Sequence, residues 1–167
     1  YRCSSGLIRN GSLTLYGNAT IVFDFDVDIG FIVEGNEGQR VFLEGVRIDA
    51  GANNGRVREI AVRFSGFDEV RFKNIACFNH YNTGAGTTRF VYFWNCAEVA
   101  VDGGEFSNIR ALGDGVIGNA KGAVRAIYGS GDKNLGALRV FNRVVFRSIN
   151  TVNSEGDSVF EDADAVV

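Results

Sequence analysis

The chain has 167 residues and a formal net charge of −3 at pH 7, with 22 glycines and neither proline nor methionine. This length fits one domain with a buried core, and the small net charge excludes the strong positive field typical of nucleic-acid binding. No apolar run reaches about 18 residues and no basic leader precedes one, so we expect neither a nucleic-acid partner nor membrane insertion.

The first predicted element is an irregular N-terminal coil. Its segment 13–17 shares with 41–45 an apolar, apolar, glycine pattern at alternate positions. Between them, Asp24, Asp26 and Asp28 alternate with apolar residues. Carboxylates in a row could bind Ca²⁺, but this alternation is typical of a half-buried strand. We therefore expect no cofactor, and calcium is the one ion that the segment suggests.

The clearest repeat comes next. The segments 41–48, 70–77 and 99–106 are equally spaced along the chain and align as three rows. Each row begins with valine, and apolar residues dominate its third, sixth and eighth positions. The fifth position is glycine, asparagine and glycine in turn, residue types that tolerate positive φ. Each row is therefore predicted to be two short strands that meet at a tight bend.

A third strand keeps the same spacing, because Val62 and Phe64 align with Val91 and Phe93. Side chains alternate between the two faces of a strand. We therefore expect these four residues to point inward, and Arg63 and Tyr92, which lie between them, to form an outward column. Each coil then contributes three short strands to a common core.

A Gly-rich insertion, 111–133, interrupts the repeat before its last copy. After it, we align Leu138 with Val99 and Val140 with Val101, which places Asn142 at the bend. One further inserted residue then brings Val144 onto the second strand.

These patterns predict an all-β fold, namely a right-handed parallel β-helix with three strands per coil and about five coils in a single domain, 1–167. The fixed spacing argues against an antiparallel sandwich, and the signature of a leucine-rich solenoid is missing. No segment keeps helical periodicity. The last residues, 163–167, have the pattern of another strand, so we expect a segment of a longer chain.

The three cysteines, Cys3, Cys77 and Cys96, are odd in number and their spacings match no zinc motif. Cys77 lies in an inward column of the repeat, and Cys96 aligns with Phe67. We therefore expect buried, small apolar residues rather than metal ligands.

Polar side chains concentrate in the loop after the second strand of each coil. Copies of this loop are predicted at 49–58, 78–88, 107–123 and 147–157. Copies of this loop would lie side by side and line a groove suited to a linear polymer. Asparagine, arginine, tyrosine and carboxylates supply the donors and acceptors that sugars need, although glycine and asparagine are also ordinary turn residues. The candidate substrate-binding residues are Arg56, His80, Tyr81, Asn82, Glu105, Arg110 and Arg147.

Glycoside hydrolysis needs two carboxyl groups about 5–5.5 Å or about 6.5–9.5 Å apart. Glu105 has Ala76 and Val145 as neighbours in its outward column, so no pair forms around it on the strands. Loops would have to supply the pair. The candidate catalytic residues are Asp114, Glu155 and Asp157. A lyase would instead need a base, and His80 is the only histidine, although a lone histidine is more often structural.

The three-strand coil, the bends at positions 45, 74, 103 and 142 and the variable loop edge resemble the pectate-lyase-like superfamily of parallel β-helices. Within it, the chain is most similar to the β-helices of phage tailspikes and depolymerases. The resemblance covers roughly 13–167 and is architectural. It implies a trimeric virion protein that binds, and often cleaves, bacterial surface polysaccharide, frequently with acidic residues. The Asn-Thr-Asp and Gly-His-Gly signatures of polygalacturonases are missing, since residues 82–84 read Asn-Thr-Gly.

Three functions stay open at this point. The first is a polysaccharide-binding domain of a tailspike-type homotrimer, on a virion or outside the cell, which could also depolymerise its bacterial surface polysaccharide or another glycan. The second is a non-catalytic structural or adhesive shaft of a virion or secreted surface protein. The third is a secreted uronate polysaccharide lyase. Whether the chain is an enzyme, a glycoside hydrolase or a polysaccharide lyase, is left open.

Overall fold

The computed structural model describes residues 2–3, 7–23, 27–51, 57–82, 87–112, 124–131, 139–152, 158–159 and 163–166. Every regular element within these ranges is a β-strand. The strands are β1 (Arg2–Cys3), β2 (Leu7–Asn10), β3 (Leu13–Tyr16), β4 (Thr20–Phe23), β5 (Val27–Glu34), β6 (Arg40–Glu44), β7 (Arg47–Asp49), β8 (Val57–Ser65), β9 (Glu69–Asn82), β10 (Thr88–Trp94), β11 (Glu98–Leu112), β12 (Val124–Ser130), β13 (Arg139–Val152), β14 (Ser158–Val159) and β15 (Ala163–Val166). The described part of the chain holds no helix with the length and apolarity that crossing a membrane requires.

The strands form two sheets. Sheet A follows the order β1-β4-β7-β9-β11-β13-β14, with β3 and β6 joined beside that path, and sheet B follows the order β15-β12-β10-β8-β5-β2. Every pairing described is parallel except that between β13 and β14. The all-β prediction is therefore confirmed, and the parallel order is compatible with a stacked solenoid.

The strand register confirms the constant spacing of the central repeats. Val41 pairs with Val70, and Val70 pairs with Val99. These three valines are at most 1% exposed. The predicted N-terminal match also holds, because Leu13 pairs with Val41.

The first bend of each repeat adopts the predicted backbone conformation. Gly45, Asn74 and Gly103 have φ angles of 69°, 50° and 72°. Backbone bonds hold successive bends together, since the Gly45 amide donates to the Lys73 carbonyl oxygen over 3.0 Å. Residue types that tolerate positive φ therefore lie above one another at this bend, as the alignment of segments 41–48, 70–77 and 99–106 predicts.

The predicted alignment of the first strand in the last repeat is wrong by one position. Val99 pairs with Arg139 and not with Leu138. The predicted place of Val144 on the second strand is confirmed, because Val144 pairs with Gly104. The bend therefore falls at Arg143, with a φ of 53°, and not at Asn142. The segment 138–141 reads Leu-Arg-Val-Phe, so either frame offers an apolar residue to the core. A slip of a single position exchanges the two faces, and Val140 is 42% exposed.

The predicted loop starts at 78, 107 and 147 are also wrong. β9 continues to Asn82, β11 to Leu112 and β13 to Val152. The first two of these strands turn sharply without ending, because Asn79 and Asn108 adopt φ angles of 60° and 56°. Asparagine tolerates this conformation better than other residues with a Cβ, so strand pairing resumes directly after the turn.

The core lies between the two sheets and is rich in phenylalanine. The ring of Phe64 lies 5.3 Å from that of Phe72 and 5.9 Å from that of Phe93, measured between centroids. Cys77 and Cys96 are fully buried, which confirms the prediction that they are core residues. Each large apolar side chain buried in this way stabilises the fold by about 1.5–3 kcal/mol.

Candidate functional site

The residues predicted to form a site fall into three groups. The candidate catalytic residues Asp114, Glu155 and Asp157 lie outside the described residues, as does Arg56. Asp24 and Asp26, which suggested calcium, lie outside them as well. The described residues contain no cluster of three or more histidine, cysteine or acidic side chains that could hold a metal ion.

The sequence predicted that His80 and Asn82 lie on an exposed loop, and this prediction is wrong. Both belong to β9 and are fully buried. The His80 ring packs edge-on against Phe90, with 5.6 Å between ring centroids. The turn at Asn79 directs these two side chains inward, so neither can touch a surface-bound polymer.

Four other predicted residues form two neighbouring pairs on the surface. Tyr81 lies beside Arg110 on the next strand of sheet A, and both side chains are exposed. Glu105 and Arg147 are joined by an ion pair of 3.7 Å between Oε1 and Nε. The structure therefore brings together parts of the predicted surface, but it separates them from His80 and Asn82.

A denser cluster occurs on sheet B, where the sequence predicted only part of an outward column. The rings of Tyr92 and Tyr128 lie 5.3 Å apart on adjacent strands. The guanidinium carbon of Arg89 lies 5.4 Å from the first ring centroid and 4.7 Å from the second. Such cation–π contacts hold an arginine in a defined orientation. Nε of Arg89 is buried and has no hydrogen-bond partner among the described residues.

Trp94 lies two residues after Tyr92 on β10 and is 44% exposed. The hydroxyl of Tyr92 is 2.7 Å from that of Ser130, the strand-register partner of Trp94, and this contact restrains the tyrosine ring. Exposed tryptophan is uncommon in a packed fold, since its large apolar surface is normally buried. An indole ring held at the surface by its strand is well suited to stack on a ligand.

Charged groups continue this surface toward the N-terminal strands. Arg63 pairs with Tyr92 in the strand register, and its Nη2 donates to Oε1 of Glu34 over 3.2 Å. We define the sheet B face by its outward side chains. They are Glu34, Arg63, Arg89, Tyr92, Trp94 and Tyr128.

A groove of about 440 Å³ adjoins this face at the bend after each sheet B strand. Its lining residues include Asn10, Glu34, Ser65, Trp94 and Asn95. The first four are neighbours in the register of successive repeats. Oγ of Ser65 and Oδ1 of Asn95 are buried and have no hydrogen-bond partner among the described residues. The groove therefore presents to a ligand the polar atoms of Ser65 and Asn95, the carboxylate of Glu34 and the indole ring of Trp94. Along the direction in which the repeats stack, the residues that follow one another are Asn10, Glu34, Ser65 and Trp94.

Two ion pairs lie on the outer surface of sheet A, between Lys73 and Glu44 and between Arg143 and Asp102. A hydrogen bond and the charge of Glu44, whose Oε1 lies 2.7 Å from Nζ of Lys73, raise the pKa of that lysine. The pKa of Asp102 is lowered, chiefly by a hydrogen bond from Arg143. Lys73 and Asp102 therefore stay charged at neutral pH, so they are poorly suited to exchange protons with a substrate.

Sequence reasoning identified Arg63 and Tyr92 as an outward column but missed the remainder of the sheet B face. Tyr92 and Trp94 occupy alternate positions, which a period of two places on one side of a strand. That alternation is the signal that could have revealed the tryptophan. Tyr128 follows the long insertion, so no fixed spacing connects it to Tyr92 in the sequence.

No family model, curated protein or solved structure matches the chain. The interpretation of the site therefore depends on its own geometry.

Proposed function

We propose that the chain is a segment of a right-handed parallel β-helix whose sheet B face binds a polysaccharide. The parallel register, which joins Val41 to Val70 and Val70 to Val99, supports the β-helix, as coils would stack directly on one another. The exposed ring of Trp94 beside the Tyr92 and Tyr128 pair is the observation that carries the proposed function.

The chemistry of this face suits sugars. The C–H faces of a pyranose ring pack on aromatic rings, which bring a large contact area at small entropic cost. Sugar hydroxyls both donate and accept, so they pair with the guanidinium of Arg89 and the carboxylate of Glu34. Binding sites commonly combine aromatic walls with a few fixed polar groups in this way.

The groove suits a linear polymer more than a single small molecule. Asn10, Glu34, Ser65 and Trp94 lie on four successive repeats. Adjacent strands are about 4.8 Å apart, so these residues span about 14 Å along the stack. An extended chain of sugars could contact several repeats in the same manner.

Binding without cleavage is the version that the described residues favour. Glu34 is paired with Arg63 at 3.2 Å and Glu105 with Arg147 at 3.7 Å. A glycoside hydrolase uses two carboxyl groups that flank the scissile bond, whereas each of these two glutamates is already held by an arginine side chain. Asp114, Glu155 and Asp157 are the candidate residues for hydrolysis, and release of reducing ends from a bound polymer tests that version. A uronate lyase would instead release unsaturated products that absorb in the ultraviolet.

The tailspike-type assignment, a homotrimer on a virion or outside the cell that binds bacterial surface polysaccharide, belongs to the same proposal. Sedimentation of the full chain tests the trimer. A monomer would favour the alternative of a shaft or adhesive segment within a secreted surface protein.

Trp94 is the only tryptophan of the chain, so its fluorescence reports on the sheet B face directly. We would titrate the protein with smooth lipopolysaccharide, dextran, xylan and polygalacturonate. Binding should change the emission for at least one polymer, and Arg89→Ala should weaken that binding about tenfold. Arg110→Ala is the matched control on sheet A and should bind normally. If Arg110→Ala weakens binding and Arg89→Ala does not, the site lies on sheet A and the proposed site on the sheet B face is refuted.

A further inference from the structure

A second groove lies on sheet A, at the first bend of the early repeats. It encloses about 620 Å³, within the range of small-molecule sites, about 300–1,000 Å³. Its walls are formed by Tyr16, Asn18, Glu44, Arg47 and Asn74. None of these residues belongs to the sheet B face, and the polymer proposed to bind there does not need this groove.

The floor of the groove is made of residues without a long side chain. Gly17, Gly45 and Ala76 line it. A Cβ atom added to Gly45 would lie 3.1 Å from the carbonyl oxygen of Gly17, so the two backbones approach closely there. Ala76 stands between Arg47 and Glu105 in the outward column of the second strand, which leaves a gap between two longer side chains.

One wall of the groove is an aromatic platform. Tyr16 is 66% exposed, the largest exposure among the large hydrophobic residues described. Its ring centroid lies 5.4 Å from that of Phe42, at an angle of 54° between the planes. The contact with Phe42 restrains the tyrosine ring, while most of the ring surface stays open to a ligand.

The other walls present fixed donors and acceptors. The guanidinium carbon of Arg47 lies 5.1 Å above the ring of Phe78, which orients its N–H groups. The carboxylate of Glu44 is held by Lys73 at 2.7 Å and remains about one-third exposed, at 35%. The amide of Asn18 adds one group that can donate and one that can accept. The acceptor Glu44, the donor Arg47 and the amide of Asn18, which can do both, therefore line the same groove as the exposed ring of Tyr16.

We propose that this groove binds a single pyranose residue of a glycan. The Tyr16 ring packs against the C–H face of the sugar, Glu44 accepts from its hydroxyl groups and Arg47 donates to them. The paired charges of Glu44 and Lys73 offset each other, so recognition works through hydroxyl groups and needs no charge on the sugar. Together with the sheet B face, this groove allows one chain to contact a glycan at two places, which raises the effective affinity for a polymer.

Saturation-transfer difference NMR on the whole chain tests this site with small probes. The probes are methyl α-D-glucopyranoside, methyl β-D-galactopyranoside, methyl α-D-mannopyranoside and methyl β-D-glucuronide. All measurements use a Trp94→Ala background, which removes the indole of the sheet B face, so failure of the proposed function leaves this test intact. Ring protons of at least one neutral glycoside should receive saturation.

Tyr16→Ala in that background should reduce the transfer about fivefold or more, because the stacking ring is lost. Tyr16→Phe is the matched variant, since it keeps the ring and should keep the signal. Tyr16 is exposed, so neither change disturbs the core. The proposal is refuted if no probe receives saturation, if only the glucuronide does, or if Tyr16→Ala leaves the transfer unchanged.

Discussion

Nδ2 of Asn108 donates a hydrogen bond of 2.8 Å to Oδ1 of Asn79, its counterpart one repeat earlier. Nδ2 of Asn79 in turn donates to Oδ1 of Asp49 over 3.3 Å. A ladder of side-chain hydrogen bonds therefore crosses three repeats at the second bend of sheet A. Because both asparagines hold positive φ angles, this ladder connects backbone shape to the stacking of successive repeats.

We expect Asn79→Ala to lower the free energy of unfolding by about 2–3 kcal/mol. The variant loses the hydrogen bond from Asn108 and the one to Asp49. It also forces alanine into a φ of about 60°, where its Cβ is strained. Urea unfolding followed by circular dichroism measures the loss.

Asn79→Gly separates these two causes. Glycine adopts positive φ without strain, so this variant should lose only the hydrogen bonds and be about 1 kcal/mol more stable than Asn79→Ala. Equal stabilities of the two variants would show that backbone strain at this bend is negligible, contrary to our account.

Alanine substitutions at Gly51 and Gly38 separate two causes of lost stability, steric overlap and backbone strain. A Cβ at Gly51 would lie 2.3 Å from the backbone oxygen of Asn79, so something must move. A Cβ at Gly38 would meet nothing within 4 Å, although its φ is +80°. We expect Gly51→Ala to cost about 2–3 kcal/mol and Gly38→Ala about 1 kcal/mol. Thermal unfolding of both variants ranks them, and a larger loss for Gly38→Ala would contradict this interpretation.

The parts of the fold that depend on a fixed spacing could be predicted from the sequence. Val41, Val70 and Val99 share one spacing and one degree of burial, and stacking of parallel strands requires both. The outward position of Arg63 beside Tyr92 followed from the same alignment. Regular pairing transmits the register from one repeat to the next, so a local match extends over the whole central part.

The remainder depended on interactions that a spacing does not encode. Nothing in the segment after the insertion distinguishes Leu138 from Arg139 as the partner of Val99, because the residues that follow, Val140 and Phe141, are both apolar. Asparagine is as common in loops as in a turn within a strand, so the bends at 79 and 108 were read as loops. His80 was then placed outside, although the turn directs it into the core.

The thiols of Cys77 and Cys96 should not react with Ellman's reagent in the folded protein. Both are fully buried, and burial raises the pKa of the Cys77 thiol well above its ordinary value. The thiolate is the form that reacts, and the population of Cys77 thiolate should be negligible at neutral pH. The measurement uses a Cys3→Ser background, which leaves only these two cysteines.

Two comparisons complete the thiol experiment. Both thiols should react in concentrated guanidinium chloride, where the core is lost. Thr14→Cys in the same background places a thiol on the exposed side of β3 and should react in the folded state. Rapid reaction of Cys77 without denaturant would mean that the core between the sheets opens readily.

The carboxyl group of Asp102 should titrate at lower pH in the parent chain than in an Arg143→Gln variant. Nη2 of Arg143 donates to Oδ1 over 2.8 Å and Nδ2 of Asn142 donates to the same oxygen over 2.9 Å, which lowers the pKa of Asp102. A lowered pKa means that the folded state favours the charged form. The resulting stabilisation is present above the pKa of the unfolded chain and is lost as the pH falls through the lower, folded value.

Carbon-detected NMR of the side-chain carboxyl resonances measures both titrations. Arg63→Gln is the matched control, because that arginine lies on sheet B and should leave Asp102 unchanged. Added salt should narrow the difference between the parent chain and Arg143→Gln, since the Asp102 and Arg143 side chains are 46% and 70% exposed and their charges are screened. If Asp102 titrates identically with and without Arg143, this ion pair does not form in solution and contributes nothing to the stacking of the last two repeats of sheet A.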